Sequence, residues 1–294
     1  MNIRTLRSIG RFGSALLLLG VCQHATAATD GDRSIDYQTG WIPSEQIFEP
    51  IAAGNAEALN YVSFVRLDPD GEGQEPFTAA LVSLGESFPI YRWKTSGGSY
   101  WQFDLFGNVQ SQFNMDAESD ALLNTDFFIG FPLAWRKDDW SARLRLFHQS
   151  SHLGDELVLS GDAPERIDLT YEAADFLLAY QINGWRLYGG GAYLFSKDSE
   201  FLGDYSVRGG AEYLSPERKL LGGRFIAGLD LLGAEFFDND IQTKAIAGVR
   251  WGRDDPDAGT ITLALQAFTG PTPFGQFFDY TSTFYGLIVY FTLD

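Results

Sequence analysis

The stretch RLRLFHQSSHLGDE, from Arg143 to Glu156, gathers much of the potential chemistry in this sequence. It holds His148 and His152, two of the chain's three histidines, with Ser150, Ser151, Asp155 and Glu156 close by. A His-x-Ser pair suits acyl transfer, because the imidazole can take the hydroxyl proton as the serine attacks a carbonyl. On a strand, both side chains leave the same face, about 7 Å apart along the chain, and can lean together. The same letters allow two other readings. In one, His148, His152, Asp155 and Glu156 hold a zinc ion. On a continuous strand the two histidines are about 13 Å apart, too far for one ion, so no metal is assigned. In the other, Gln149, Ser151, His152, Gly154, Asp155 and Glu156 form a structured rim loop whose acids hold His152 or arginines.

The elements that would position these groups follow from the rest of the chain. The opening residues carry Arg4, Arg7 and Arg11, then the apolar run FGSALLLLGV and the small residues Ala25 to Ala27. This is the pattern of a secretory signal peptide over 1–27. The run is too short to span a bilayer as a helix, which takes roughly 20 residues. Removing the three arginines takes the formal charge from −18 to −21, an acidity that argues against nucleic acid as a partner. The lone Cys22 falls within the signal, so disulfides play no part in the mature chain. Residues 28–59 show no strong period and are expected to be a periplasmic lead-in, with one short helix near Ser44 or Asn55.

From Asn60 to the end at Asp294 the period is two. In WQFDLFGNV, Trp101, Phe103 and Leu105 alternate with Gln102 and Asp104. In WSARLRLF, Trp140, Ala142, Leu144 and Leu146 alternate with Arg143 and Arg145. Such alternation marks strands with two different faces. About twelve segments start near residues 60, 77, 99, 122, 140, 166, 185, 205, 221, 239, 259 and 278. Short connections (95–98, 137–139, 183–184, 215–219, 254–259) alternate with longer acidic ones. Asn183-Gly184 is the strongest hairpin signal, since both turn positions want positive φ. An even strand number with short turns at one end and long loops at the other predicts an all-β, antiparallel, up-and-down transmembrane barrel over 60–294. A soluble β-sandwich is the alternative.

The faces fit a barrel. Trp101, Trp135, Trp140, Trp185 and Trp251 lie beside short turns, as an interfacial girdle would. Arg143, Arg145, Arg186, Arg208, Arg224, Lys244 and Arg250 share the opposite face with Asp104, Asp126, Asp168, Glu172, Glu212 and Asp230. Pairing inside a narrow lumen would offset their desolvation. Continuing the phase of Leu144 and Leu146 sends His148 and Ser150 outward near the rim. The dyad still needs a group to orient its imidazole. Asp155, Glu156, Asp168 and Glu172 are candidates, and the candidate catalytic set is His148, Ser150 and Glu172. Alternation through RIDLTYE, however, predicts Asp168 and Glu172 on the lumen side.

Several blocks in order, LGESFPIYRW, GNVQSQFNMDAESDALLNTDFFIGFPL, RLRLFHQSSHLGDE and WRLYGGGAYLF, resemble a proteobacterial outer-membrane family with no assigned function and an HQSSHLGDE signature. The resemblance runs from about Trp41 to about Tyr213. It implies outer-membrane location and a barrel, and it supplies no activity. More locally, His148-Gln149-Ser150 is similar to the His-Gln-Ser-Asn-Gly stretch of outer-membrane phospholipase A, a twelve-stranded barrel. Lipid A deacylases of the same membrane also carry His-x-Ser. Those enzymes use the histidine as base and the serine as nucleophile on the barrel's outer wall. Here Ser151 and His152 replace the Asn-Gly.

The expectation is therefore a structural or lipid-associated outer-membrane barrel with a narrow charged lumen. A lipid ester hydrolase and a small-solute pore are the alternatives. The expected partners are outer-membrane lipids, lipopolysaccharide and the barrel-assembly machinery. No cofactor is implied, although the acidic loops could meet a divalent cation.

Overall fold

The computed structural model describes residues 36–70, 75–161, 167, 169–199, 202–237, 240–252 and 259–292. The expected signal segment, Cys22 and the lumen candidate Asp168 lie outside the described residues. A two-residue strand, β1 (Gly40–Trp41), precedes twelve long ones. These are β2 (Asn60–Pro69), β3 (Phe77–Lys94), β4 (Tyr100–Asn114), β5 (Ala121–Lys137), β6 (Trp140–Leu153) and β7 (Leu169–Ile182). Then come β8 (Trp185–Lys197), β9 (Tyr205–Leu214), β10 (Arg224–Ala234), β11 (Ile241–Gly252), β12 (Thr260–Pro271) and β13 (Thr281–Phe291). Every one starts within three residues of its expected position. Each pairs antiparallel with the next, and β13 pairs with β2 from Phe291↔Asn60 to Ser282↔Pro69. The sheet is closed, so the twelve strands leave no open edge. The Asn183-Gly184 turn has φ of 50° and 81°, the primed geometry expected there.

The two faces are inverted relative to a soluble protein. Phe64, Leu84, Ile129, Leu146, Leu187, Leu265 and Leu287 stand exposed on the outside, while Gln102, Asp104, Arg143, Arg145 and Asp230 are buried inside. Closure and this inversion rule out the β-sandwich. At the short-turn end, aromatic rings run around the outside. Trp41, Tyr91, Trp93 and Trp101 are in successive ring contact at 5.0, 6.1 and 6.2 Å, and Trp101 lies across from Trp135. Trp140 meets Tyr180, and Trp185 meets Tyr213.

The expected periplasmic lead-in is corrected from Pro43 onward. Residues 43–59 thread into the barrel as a plug, and the helix expected near Ser44 or Asn55 is replaced by bends and turns. The physical reason is mutual need. Ile47, Ile51 and Ala53 bury completely, and the segment's carbonyls satisfy the lumen arginines. Arg186 donates to Glu49 O and Pro50 O, both at 2.9 Å, and Arg145 to Ala56 O at 2.8 Å. Arg92 donates to Gln38 O and Glu45 O. Glu57, fully buried, sits at the centre of the network. It accepts from Arg143 at 2.7 and 3.1 Å and from Arg208 at 2.7 Å. Burial pushes its carboxyl pKa up, but Arg143 and Arg208 overcome that and hold it well below the usual carboxylate range.

The expected lumen cations Arg143, Arg145, Arg186, Arg208 and Lys244 are all on the inside. Arg145 pairs with Asp175, Arg186 with Glu212, and Arg208 with Asp230. Lys244 Nζ lies 5.7 Å from the centre of the Tyr61 ring. Arg224 and Arg250 face each other across two strands and are half-buried; Arg224 donates to Ser215 O and Arg250 to the Thr262 hydroxyl. Two acids of this network, Glu57 and Asp175, were not among those expected.

At the long-loop end the connection between β12 and β13 folds inward. Gly275 N and Gln276 N donate to the carboxylate of Asp126 and to Asn124 Oδ1. Gln276 Nε2 reaches Ser151 O at 2.8 Å and Ile167 O at 3.0 Å. The chain thus enters the interior from both ends.

Candidate active site

Strand β6 sends Arg143, Arg145, Gln149 and Ser151 inward and Trp140, Leu144, Leu146, His148, Ser150 and His152 outward. The phase runs unbroken through the HQSSH letters, so His148 and Ser150 occupy the outer wall. His148 lies across from Ile129 on β5 and from Glu172 on β7; Ser150 lies across from Phe127 and Thr170. Phe127, Ile129 and Leu146 are exposed apolar residues, which places the pair at the loop-end border of the apolar belt.

Glu172 is the principal correction. Alternation had placed it on the lumen side, but β7 turns Leu169, Tyr171, Ala173 and Asp175 inward and Thr170, Glu172 and Phe176 outward. The polarity rule fails here for a physical reason. Beneath the long loops the barrel interior is a hydrophobic core, where Leu169, Ala173, Leu194 and Leu202 pack with Phe147, Tyr171, Phe236 and Phe278. Apolar side chains at this end of β7 therefore point in, and polar ones point out.

As a result Glu172 meets the dyad. His148 Nδ1 is 3.0 Å from Glu172 Oε1, with both side chains about 40% exposed. Ser196 lies directly across from Glu172 on β8. With Nδ1–H donating to Glu172, the other ring nitrogen, Nε2, carries the lone pair. That is the tautomer a base needs. Ser150 is two residues along the same face. A carboxylate, an imidazole and a hydroxyl thus occupy one outward patch.

The remaining predicted rim residues separate. Gln149 accepts from the Tyr171 phenol inside the barrel, and the buried Ser151 donates to Asn124 Oδ1 at 3.0 Å. His152 lies edge-on to Phe127, 5.8 Å between ring centres. Asp155 and Glu156 stand exposed in the first turn of a six-residue helix, α1 (Asp155–Ser160). Gly154 is buried, and a Cβ there would overlap the Leu122 carbonyl. Among the described residues no three His, Cys, Asp or Glu side chains converge to hold an ion. Sequence reasoning missed Ser196 and Gln276. Both become visible only once the cross-strand register and the inward fold of the last loop are known.

The family model described as "Protein of unknown function (DUF1207)" matches residues 21–293. No curated protein matches the chain in sequence. Among solved structures, outer-membrane phospholipase A from Escherichia coli is similar at TM-score 0.52 and 14% identity, covering 84% of this chain and 95% of that one. The Salmonella typhi phospholipase, described as a dimer with bound calcium, is similar at TM-score 0.51 and 16% identity, covering 84% and 94%. At these identities the likeness is one of fold, the closed twelve-stranded barrel.

Proposed function

We propose, from the premise that this chain belongs to the DUF1207 family of proteins of unknown function, that it is an outer-membrane hydrolase of lipid acyl esters. One observation carries the reading: the His148 Nδ1–Glu172 hydrogen bond on the outer wall, in line with Ser150. A base held in one tautomer beside a nucleophile has no evident packing role on an apolar belt. Its placement suits a substrate that arrives from the surrounding lipid layer. The fold shared with outer-membrane phospholipases supports the same substrate class. The inverted faces and the aromatic girdle support membrane insertion.

In the proposed reaction Ser150 Oγ attacks the acyl carbonyl while His148 Nε2 takes its proton. The protonated imidazole, stabilised by Glu172, then gives that proton to the departing alcohol. Water, deprotonated by the same nitrogen, attacks the acyl-serine and releases the fatty acid, restoring Ser150. The filled lumen argues against the small-solute pore.

The test is fatty-acid release by purified protein reconstituted with phospholipid and, separately, with lipid A. Wild-type protein should hydrolyse one of these. Ser150→Ala and His148→Ala should lower the rate by about 10³-fold or more. Full activity in Ser150→Ala, or no cleavage across both lipid classes, overturns the proposal.

A further inference from the structure

Away from the outer wall, the loop end of the barrel interior contains a cavity of about 250 Å³. Its apolar walls are Leu67, Phe77, Leu123, Leu157, Phe277 and Tyr280. Its polar residues are Gln112 on β4, Thr272, and Thr281 and Ser282 on β13. Gln112 and Ser282 are only 3% and 4% exposed, and Gln112 Oε1 and Ser282 Oγ have no hydrogen-bond partner among the described residues. Buried polar atoms are nearly always paired, because an orphan forfeits its bond to water without replacement. Two orphans in the wall of one cavity mark a place where something else supplies the partners.

The wall chemistry narrows what that is. Gln112 Oε1 can only accept, so the occupant brings a donor. Among the described residues no Lys, Arg or His lines the cavity, so an anionic head would find no counter-charge there. The adjoining hollow shares Thr281 and Ser282 with the cavity and is lined by Asp68, Asp70 and Asp240. These acids are exposed at the rim beside the cavity, so their field attracts cations and repels anions. The apolar walls require a hydrophobic body, and the volume limits it to a compact one.

We infer that the barrel mouth holds a binding site for a small hydrophobic amine. The ammonium donates to Gln112 Oε1 and Ser282 Oγ, and the hydrocarbon packs against Phe77, Leu123 and Phe277. The site is independent of the proposed hydrolase: it lies inside the barrel and uses none of its residues.

The test uses the full-length protein in lipid nanodiscs with phenethylamine as probe and phenylacetate as its anionic counterpart, titrated by ligand-observed saturation-transfer NMR. Empty nanodiscs report partitioning into lipid. Saturable 1:1 binding of phenethylamine is expected, with phenylacetate at least about tenfold weaker. Gln112→Leu should weaken phenethylamine about tenfold. Leu157→Trp, placed on α1 outside the strand ladder, should fill the cavity and abolish binding even if Gln112→Leu fails to fold. Absence of saturable binding means that the orphans are met by water alone and overturns the site. Equal affinity for phenylacetate, or undiminished binding in folded Leu157→Trp, overturns it equally.

Discussion

Glu57→Gln isolates the electrostatic heart of the molecule. The substitution keeps the shape of the side chain and removes its charge. In the wild type this carboxylate has no solvent exposure and accepts three guanidinium hydrogen bonds, two from Arg143 and one from Arg208. Breaking a buried ion pair from one side typically costs 3–5 kcal/mol, because the surviving charge is stranded. Neither arginine is stranded completely here. Arg208 keeps Asp230 at 2.8 Å, and Arg143 keeps Asp175 at 3.7 Å. The loss should therefore fall at the lower end, about 3 kcal/mol. Urea unfolding of the detergent-folded protein, followed by tryptophan fluorescence and by gel mobility, measures it. A loss below roughly 1 kcal/mol, the scale of an exposed pair, would show that residues 43–59 do not sit in the lumen as described. The pH dependence has a definite sign. The folded-state pKa of Glu57 lies below its ordinary value of 4.5. Its contribution is therefore complete above that value and is lost progressively as pH falls from there through the depressed one. This component of wild-type stability should be intact at pH 6 and decline steadily below about pH 4.5, whereas Glu57→Gln should lack it at every pH.

Glu172→Gln should lower the rate of lipid hydrolysis by about 10- to 100-fold with little change in KM. The amide still orients the ring but no longer stabilises the imidazolium, and the half-exposed pair is partly screened; steady-state kinetics beside Glu172→Ala would check this, and equal rates in wild type and both variants would refute the role. Planar-bilayer recordings should find wild-type protein closed, while deletion of residues 43–58 should yield discrete conductance steps, since that segment enters the lumen from the turn end. Gly154→Ala should cost about 1–3 kcal/mol by overlap with the Leu122 carbonyl, read from the urea midpoint.

The sequence by itself determined the barrel. Period-two alternation from Asn60 onward, the alternation of short and long connections, the Asn183-Gly184 turn and the tryptophans beside the short turns are local signals. Each follows from strand geometry or from the place of aromatic rings at the end of an apolar belt, and none needs knowledge of distant residues. The outward phase of His148 and Ser150 was legible for the same reason, because β6 keeps its alternation unbroken from Trp140 to His152. What only the tertiary structure decided is what fills the barrel, and through that, the composition of the site. The segment 43–59 has no period of its own, so its destination depends on lumen arginines 47 or more residues away in the chain. Glu172 reversed its apparent face because the loop-end interior is a hydrophobic core made by loops that fold back from elsewhere. A strand's polarity pattern reports which of its sides is wet, and at that end of the barrel the dry side is the inside.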